Sequence, residues 1–355
     1  MPTLTVAGFW DQEDPWGPWQ VYRHGETGDA DNINLMVAGP WTHGGWRTSA
    51  KVDHLGQVPL GGHDTAAEFR AEVEAPFFRY WLHGKGEKPA WGARIFETGA
   101  NRWQSYASWP PKEAKPVELY LHADGTLSFT APTAAETTSG ARYREYVSDP
   151  ANPVPYRPRP IASTFTSADW DTWETLDQRF VDHRPDVLTY VSAPLDHDLA
   201  IAGEVSATLY ASTSGTDADM VVKLIDVYPE DADPVAADLE GEPTADAKSM
   251  NGYELPIAME VRRGRFLSSY AAPAPLIPNV PVAWNVPLRD RAHVFLKGHR
   301  IMLQVQSSWF PVIDRNPQSF TPSIYAARDS DFVKATQRVY ATPEMASRVT
   351  LPVAP

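Results

Sequence analysis

The chain has 355 residues, of which 43% are hydrophobic and 11% aromatic, so its length predicts two domains with enough apolar surface for buried cores. It carries 31 Lys and Arg against 45 Asp and Glu, and the resulting net charge of −14 argues against nucleic acid and membrane partners. Cysteine is absent, which excludes disulfides, thiol catalysis and thiolate metal sites. No apolar run is long enough to span a bilayer, and the N-terminus lacks the pattern of a signal peptide.

The first hundred residues alternate strand-like and helix-like segments. Residues 4–10 and 33–39 are typical of strands, and residues 15–24 between them favour a short helix. This order predicts a strand–helix–strand crossover with parallel strands in an α/β layer.

The strongest helical signal lies in residues 65–83. Thr65 and Glu68 have the spacing of a capping box, and Gly84 offers a C-cap. Pro76 lies inside the segment and predicts a kink or break, because proline removes one helical hydrogen bond. Within the segment, apolar residues recur every three or four positions, at Phe69, Val73, Phe77 and Tyr80.

From about Val117 onward, short apolar runs are separated by Gly, Pro, Asp and Asn, which is the pattern of an all-β sandwich. In the segment 299–307, apolar and polar residues alternate, so one face of that strand is expected in the core and the other is expected to be wetter. Residues 150–160 are rich in Pro and predict an extended cover over the sandwich, and residues 230–247 predict a solvated loop. The expected strands are 117–121, 187–191, 204–212, 220–228, 257–261, 282–288, 299–307 and 338–342.

Polar residues follow both predicted N-terminal strands at their carboxyl ends, where α/β sheets place catalytic groups. Asp11 follows the first strand and His43 the second. An acid followed by a His fits the last two members of an α/β-hydrolase triad, in which the acid orients the imidazole that moves the nucleophile's proton. Spacing alone is equally typical of a helix-capping Asp11 and of a loop His43 bonded to backbone.

Six strings of the chain together carry a family resemblance. They are Gly-Phe-Trp-Asp-Gln-Glu-Asp at 8–14, Gly-Pro-Trp-Thr-His-Gly at 39–44, Thr-Ser-Gly-Thr-Asp-Ala-Asp at 213–219, Val-Val-Lys-Leu-Ile-Asp-Val at 221–227, Gly-Tyr-Glu-Leu-Pro at 252–256 and Gly-His-Arg-Ile-Met-Leu-Gln-Val-Gln-Ser-Ser-Trp-Phe-Pro at 298–311. These strings resemble the family of the α-amino-acid ester hydrolases, cocaine esterases, glutaryl-cephalosporin acylases and X-Pro dipeptidyl-peptidases. The resemblance implies serine-dependent acyl transfer by an α/β-hydrolase domain with a cap and a C-terminal jelly roll. Here it implies a partial α/β-hydrolase domain at residues 1–114 and a jelly-roll β-sandwich at 115–355, with Asp11 as triad acid and His43 as triad base.

The chain departs from this family in one respect. The family's nucleophile is a Ser in a Gly-x-Ser-Tyr-x-Gly turn well before the acid, and no Gly-x-Ser-x-Gly occurs here. We therefore expect a C-terminal portion of a longer enzyme, without the nucleophile, the first strands, the cap or the carboxylates that bind a substrate ammonium. Such a portion is expected to be inactive alone and to expose an unpaired sheet edge and an apolar face, so we also expect a homo-oligomer. The residues expected on that face are Phe9, Trp10, Leu35, Met36 and Val37.

The sequence also permits other interpretations of the chain's function and of its remaining polar residues. The jelly roll could act alone as a binding module, in which case a planar row of Trp or Tyr should be exposed. Asp217 and Asp219 most simply end a loop, with a calcium role as the alternative, and a metal site at residues 196–198 is not expected. No cofactor is expected, and the substrate of the intact enzyme is expected to be a small ester, amide or peptide. The family resemblance is compatible with a periplasmic or secreted location.

Overall fold

The computed structural model describes residues 1–162, 168–231 and 249–355. The loop predicted over 230–247 lies almost entirely outside the described residues. Within these ranges no helix is both long and apolar enough to cross a membrane.

The described chain is dominated by strands. Its helices are α1 (Gly17–Glu26), α2 (Thr65–Phe69), α3 (Ala75–His83), α4 (Ala134–Ser139), α5 (Ala168–Thr172) and α6 (Arg179–Asp182). Its strands are β1 (Thr3–Gly8), β2 (Asn34–Gly39), β3 (His54–Leu55), β4 (Val58–Pro59), β5 (Ala93–Glu97), β6 (Arg102–Tyr106), β7 (Lys115–Leu121), β8 (Leu127–Ser128), β9 (Tyr143–Ser148), β10 (Val187–Val191), β11 (Leu199–Thr213), β12 (Asp219–Val227), β13 (Glu254–Arg263), β14 (Val282–Phe295), β15 (Arg300–Gln306), β16 (Ala335–Thr342), β17 (Met345–Ala346) and β18 (Arg348–Val353).

The N-terminal sheet has the order β1-β2-β5-β6. Strands β1 and β2 are parallel and stay in register from Thr3 opposite Asn34 to Gly8 opposite Gly39, with α1 as their connection. Strand β5 also runs parallel to β2, and β6 closes the sheet antiparallel to β5. The predicted strand–helix–strand unit is therefore present, while β5 and β6 had no clear signal in the sequence.

The helical segment after residue 64 differs from prediction at its start and middle. Its N-cap is Asp64, whose carboxylate accepts the backbone N–H of Ala67, so the capping box assigned to Thr65 and Glu68 is wrong. The break predicted at Pro76 takes the form of a π-helical stretch at Arg70–Glu74, which accommodates the missing proline N–H directly after it. The segment ends as predicted at Gly84, with φ of 60°.

Two antiparallel sheets form the rest of the molecule. One has the order β10-β15-β12-β13, and an eight-stranded sheet is built around β11, which pairs along its length with β14. Inward side chains of both sheets, such as Leu224 and Leu303 on one and Leu209 and Trp284 on the other, belong to one buried apolar cluster. The strands predicted from short apolar runs are all present.

The face of β15 that carries its polar side chains is buried, although we expected it to be more exposed to water than the other face. Gln304 and Gln306 are fully buried, and so is Lys223 on the neighbouring β12. A cover formed by residues 154–162 and 168–182 explains this, since Tyr156 and Trp173 of the cover pack with Trp309 over this face. The Pro-rich segment does form part of the cover, and Pro155 bridges to Phe310.

The apolar face that we expected to be exposed is buried. Phe9, Trp10, Leu35, Met36 and Val37 are each at most 2% exposed. Phe9 and Trp10 join the main core with Trp19 and Trp109, and Val37 packs under the helical segment with Trp41, Phe69 and Val73. Among the described strands, however, β1 pairs only with β2, so its other edge is free.

Candidate active site

The two predicted site residues lie at the carboxyl edge of the N-terminal sheet. Asp11 follows β1 and His43 follows β2, and the parallel pairing continues past the strands because the N–H of Phe9 bonds the carbonyl of Gly39. The N–H of Trp10 likewise bonds the carbonyl of Trp41 at 3.1 Å. The register of two parallel strands thus brings the two loops together.

Gly8 permits this close approach. A Cβ at Gly8 would lie 2.3 Å from the carbonyl oxygen of Trp41, so any residue other than glycine would force the backbone to move. The second loop is fixed by the buried ring of Trp41, whose Nε1 donates to the Thr65 hydroxyl at 3.0 Å. Gly44 then turns the chain away from His43 with φ of +66°.

Asp11 and His43 form a hydrogen-bonded pair. Nδ1 of His43 lies 3.0 Å from Oδ1 of Asp11 and 3.3 Å from Oδ2. Oδ1 of Asp11 also accepts the backbone N–H groups of Glu13 and Asp14 at 2.9 and 2.8 Å, which fixes the carboxylate. The Asp11 side chain is 2% exposed and that of His43 is 35% exposed. Because the acid occupies Nδ1, Nε2 is the ring nitrogen left to exchange a proton.

Two further carboxylates adjoin the imidazole. Oε2 of Glu13 lies 4.0 Å from Nε2 of His43, and Oδ2 of Asp14 lies 3.7 Å from Nδ1. Partial burial lowers the pKa of His43, but the hydrogen bond to Asp11 and the charges of Asp11, Glu13 and Asp14 outweigh it and leave the pKa above its usual value.

The β-rich part of the molecule forms one wall of the site. Nε1 of Trp10 donates to the carbonyl of Pro256 in β13 at 2.9 Å. Helix α5 contacts the same loop, with Trp170 bonded to Glu13 and Asp171 bonded to Gln12. Sequence reasoning missed these α5 residues, which are about 160 positions away from the loop and carry no local motif. Glu13 and Asp14 do have a sequence signal, because both belong to the string at 8–14.

Other candidate residues prove to be internally paired. Asp217 is buried in an ion pair with Arg265 at 2.7 Å, and Asp219 accepts from the amide of Asn316 at 2.9 Å. Burial raises the pKa of Asp219 to about 7, with Arg263 opposing the rise. These contacts favour the loop-ending interpretation over a calcium site. Asp196 and His197 are exposed and hydrogen-bond each other.

One group in the described part of the chain brings three potential metal-ligating atoms to within 4.8 Å of one another, and it consists of Asp11, Asp14 and His43. Oδ1 of Asp11 is already used by two backbone amides and the imidazole. Exposed acidic groups commonly cluster without an ion, so this geometry by itself favours a proton-transfer pair.

An imidazole oriented by a buried carboxylate at the edge of parallel strands is the acid–base arrangement found in hydrolases. Residues 73–350 match the X-Pro dipeptidyl-peptidase C-terminal non-catalytic domain, and the chain belongs to this family. Asp11 and His43 lie outside the matched range.

Known proteins similar to this chain are named as hydrolases. A cocaine esterase of Rhodococcus sp. (strain MB1 Bresler) is 27% identical over 91% of this chain and 52% of its own length. The solved structure of an α-amino acid ester hydrolase is 43% identical with a TM-score of 0.90, and the match covers 99% of this chain and 55% of that one. An aminopeptidase from a marine sediment Thaumarchaeota archaeon is 38% identical with the same TM-score, covering 100% of this chain and 55% of that one.

These relatives confirm the predicted family resemblance and a hydrolase ancestry for the chain. The chain spans about half the length of the relatives that it matches.

Proposed function

We propose that this chain supplies the general base and its orienting acid to a serine hydrolase of acyl esters or amides. The observation that carries the proposal is the 3.0 Å hydrogen bond between Nδ1 of His43 and the buried carboxylate of Asp11. This bond leaves Nε2 directed away from the acid, where a hydroxyl nucleophile would need it.

In the proposed mechanism, Nε2 of His43 removes the proton of a serine hydroxyl as its oxygen attacks the substrate carbonyl. The same nitrogen then gives the proton to the leaving alcohol or amine, and a water molecule repeats the sequence to release the acid. Asp11 holds the imidazole in one tautomer and stabilises its protonated form.

The nucleophile is proposed to come from a segment other than those described. Within residues 1–162, 168–231 and 249–355, no serine hydroxyl hydrogen-bonds to His43. Together with the match to about half the length of known hydrolases, this observation supports the proposal that the chain is inactive by itself.

The carboxylates around His43 support a substrate class. Glu13 and Asp14 are 36% and 64% exposed and lie within 4.0 Å of the ring, so they place negative charge where a substrate would sit. We infer acyl groups that carry a positively charged amino group, which includes α-amino esters and the N-terminal residues of peptides.

The finer fold assignment is also a proposal. Parallel strands β1, β2 and β5 with α1 as crossover support a partial α/β-hydrolase domain at 1–114. The two facing antiparallel sheets support a jelly roll at 115–355. A stand-alone sugar-binding role is less favoured, because Trp309 is only 6% exposed and packs on Trp173 rather than forming an exposed platform.

Labelling with a fluorophosphonate probe tests the proposal. The purified chain should remain unlabelled, because a base without a nucleophile forms no covalent adduct. When it is combined with the part of the α-amino acid ester hydrolase that it does not match, one serine of that added part should be labelled. Stoichiometric labelling of a serine in this chain alone would overturn the proposed division.

A further inference from the structure

Helix α5 reaches the loop after β1 through two side chains. Nε1 of Trp170 donates to Oε1 of Glu13 at 3.3 Å, and Oδ1 of Asp171 accepts from Nε2 of Gln12 at 3.4 Å. The two partners are 157 positions apart in the first bond and 159 in the second, so both bonds depend on the β-rich part packing against the N-terminal sheet.

Both contacts continue to His43. Oε1 of Gln12 accepts the backbone N–H of His43 at 3.3 Å, so the Gln12 amide links the His43 backbone to Asp171. The second carboxylate oxygen of Glu13, Oε2, lies 4.0 Å from Nε2 of His43, so the carboxylate bridges the Trp170 indole and the imidazole.

We propose that α5 is a positioning element for His43, with Asp171 acting through Gln12 and Trp170 acting through Glu13. The catalytic meaning of this assignment rests on the proposed function, but the positioning itself does not. Asp171 and Gln12 fix the backbone from which the imidazole projects. Trp170 fixes a negative charge beside the nitrogen that must exchange a proton.

The arrangement has a physical rationale. Glu13 is 36% exposed, and a free glutamate side chain there would sample several rotamers. One indole donor restricts the carboxylate to the rotamer that faces His43, so the charge acts at a fixed distance. In the described chain the charged groups within 4.0 Å of the ring are Asp11, Glu13 and Asp14, and only Glu13 is held by α5.

A double-mutant cycle on the titration of His43 tests the Trp170 contact. The midpoint is followed by NMR of the imidazole protons in the full chain. Glu13→Gln should lower the midpoint by roughly 0.2–0.7 of a pH unit, the size of one partly screened charge. Trp170→Phe should lower it by a smaller amount in the native background and leave it unchanged in the Glu13→Gln background.

The background dependence separates positioning from general damage to the fold. Equal shifts from Trp170→Phe in both backgrounds, or no shift in the native one, would overturn the Trp170 assignment. Trp16→Phe is the matched control, since Trp16 is 55% exposed and should not affect the titration. None of these readouts requires activity, so their failure is distinguishable from failure of the proposed function.

Hydrogen exchange of the His43 backbone amide tests the Asp171 contact. Asp171→Ala and Gln12→Ala should each raise the exchange rate several-fold, and the double variant should raise it no further than Gln12→Ala. Asp169→Ala, on the same helix and exposed, should leave the rate unchanged. An unchanged rate in Asp171→Ala, or strictly multiplicative effects in the double variant, would overturn this part of the proposal.

Discussion

Replacing Asp11 by Asn isolates the contribution of the acid to the His43 imidazole. The substitution keeps the shape of the side chain and removes its charge. A hydrogen bond to a charged group contributes about 1.5–3 kcal/mol when shielded from water, which corresponds to roughly 1–2 pKa units. Because the His43 side chain is 35% exposed, solvent screens this contribution, and we expect the His43 pKa to fall by about one unit.

The assay is NMR titration of the ten His imidazoles, with the His43 resonance assigned by its loss in His43→Gln. Asp53→Asn is the matched control, because Asp53 hydrogen-bonds the neighbouring His54 at 2.9 Å on the surface and should not influence His43. An unchanged His43 midpoint in Asp11→Asn would refute the geometry on which the proposed mechanism depends.

The same variant has a pH signature in stability. A raised His pKa adds stability that is fully present below the unfolded value of about 6.5 and is lost as the pH rises through the folded value. Asp11→Asn should therefore reduce the free energy of unfolding more at pH 5.5 than at pH 8.5. Equal losses at both pH values would contradict the raised pKa.

Three further predictions concern the framework. Gly8→Ala should destabilise the chain by about 1–3 kcal/mol in urea denaturation, because the new Cβ would meet the Trp41 carbonyl. Gly17→Ala is the control and should change the free energy of unfolding little, because Gly17 has open space around it, and equal effects of the two variants would contradict the close approach at Gly8. Burial lowers the pKa of Lys223 to about 7, so the free energy of unfolding of the native chain should rise between pH 7 and 10. Lys223→Met should reduce this rise by up to roughly 1.4 kcal/mol per pH unit, and parallel curves for the two proteins would refute the prediction. Loss of the hydrogen bond from Lys223 to Gln178 shifts the whole curve without changing its slope. Light scattering should show self-association through the free edge of β1, and a monodisperse monomer would count against it.

Local signals predicted the parts of the fold that are set by short segments. The two N-terminal strands end at Gly8 and Gly39, and the helical segment ends at Gly84, where glycine is needed for close contact or a positive φ. The placement of Asp11 and His43 followed from the rule that parallel strands end at one edge.

Features set by distant packing could not be predicted in this way. The alternation in β15 correctly indicated a strand, but the cover that buries Gln304 depends on a segment more than a hundred residues earlier in the chain. The contacts of Trp170 and Asp171 with the loop of Asp11 have the same origin. Pro76 predicted an interruption without specifying that a π turn would absorb it.

If His43 is the general base of an acyl-transfer site, the turnover number for an activated ester must depend on its imidazole. The measurement uses this chain combined with the part of the α-amino acid ester hydrolase that it does not match. We predict that His43→Gln lowers the turnover number by about 10⁴-fold or more, while His54→Gln leaves it unchanged. A His43→Gln protein that keeps the turnover of the native chain would contradict the account.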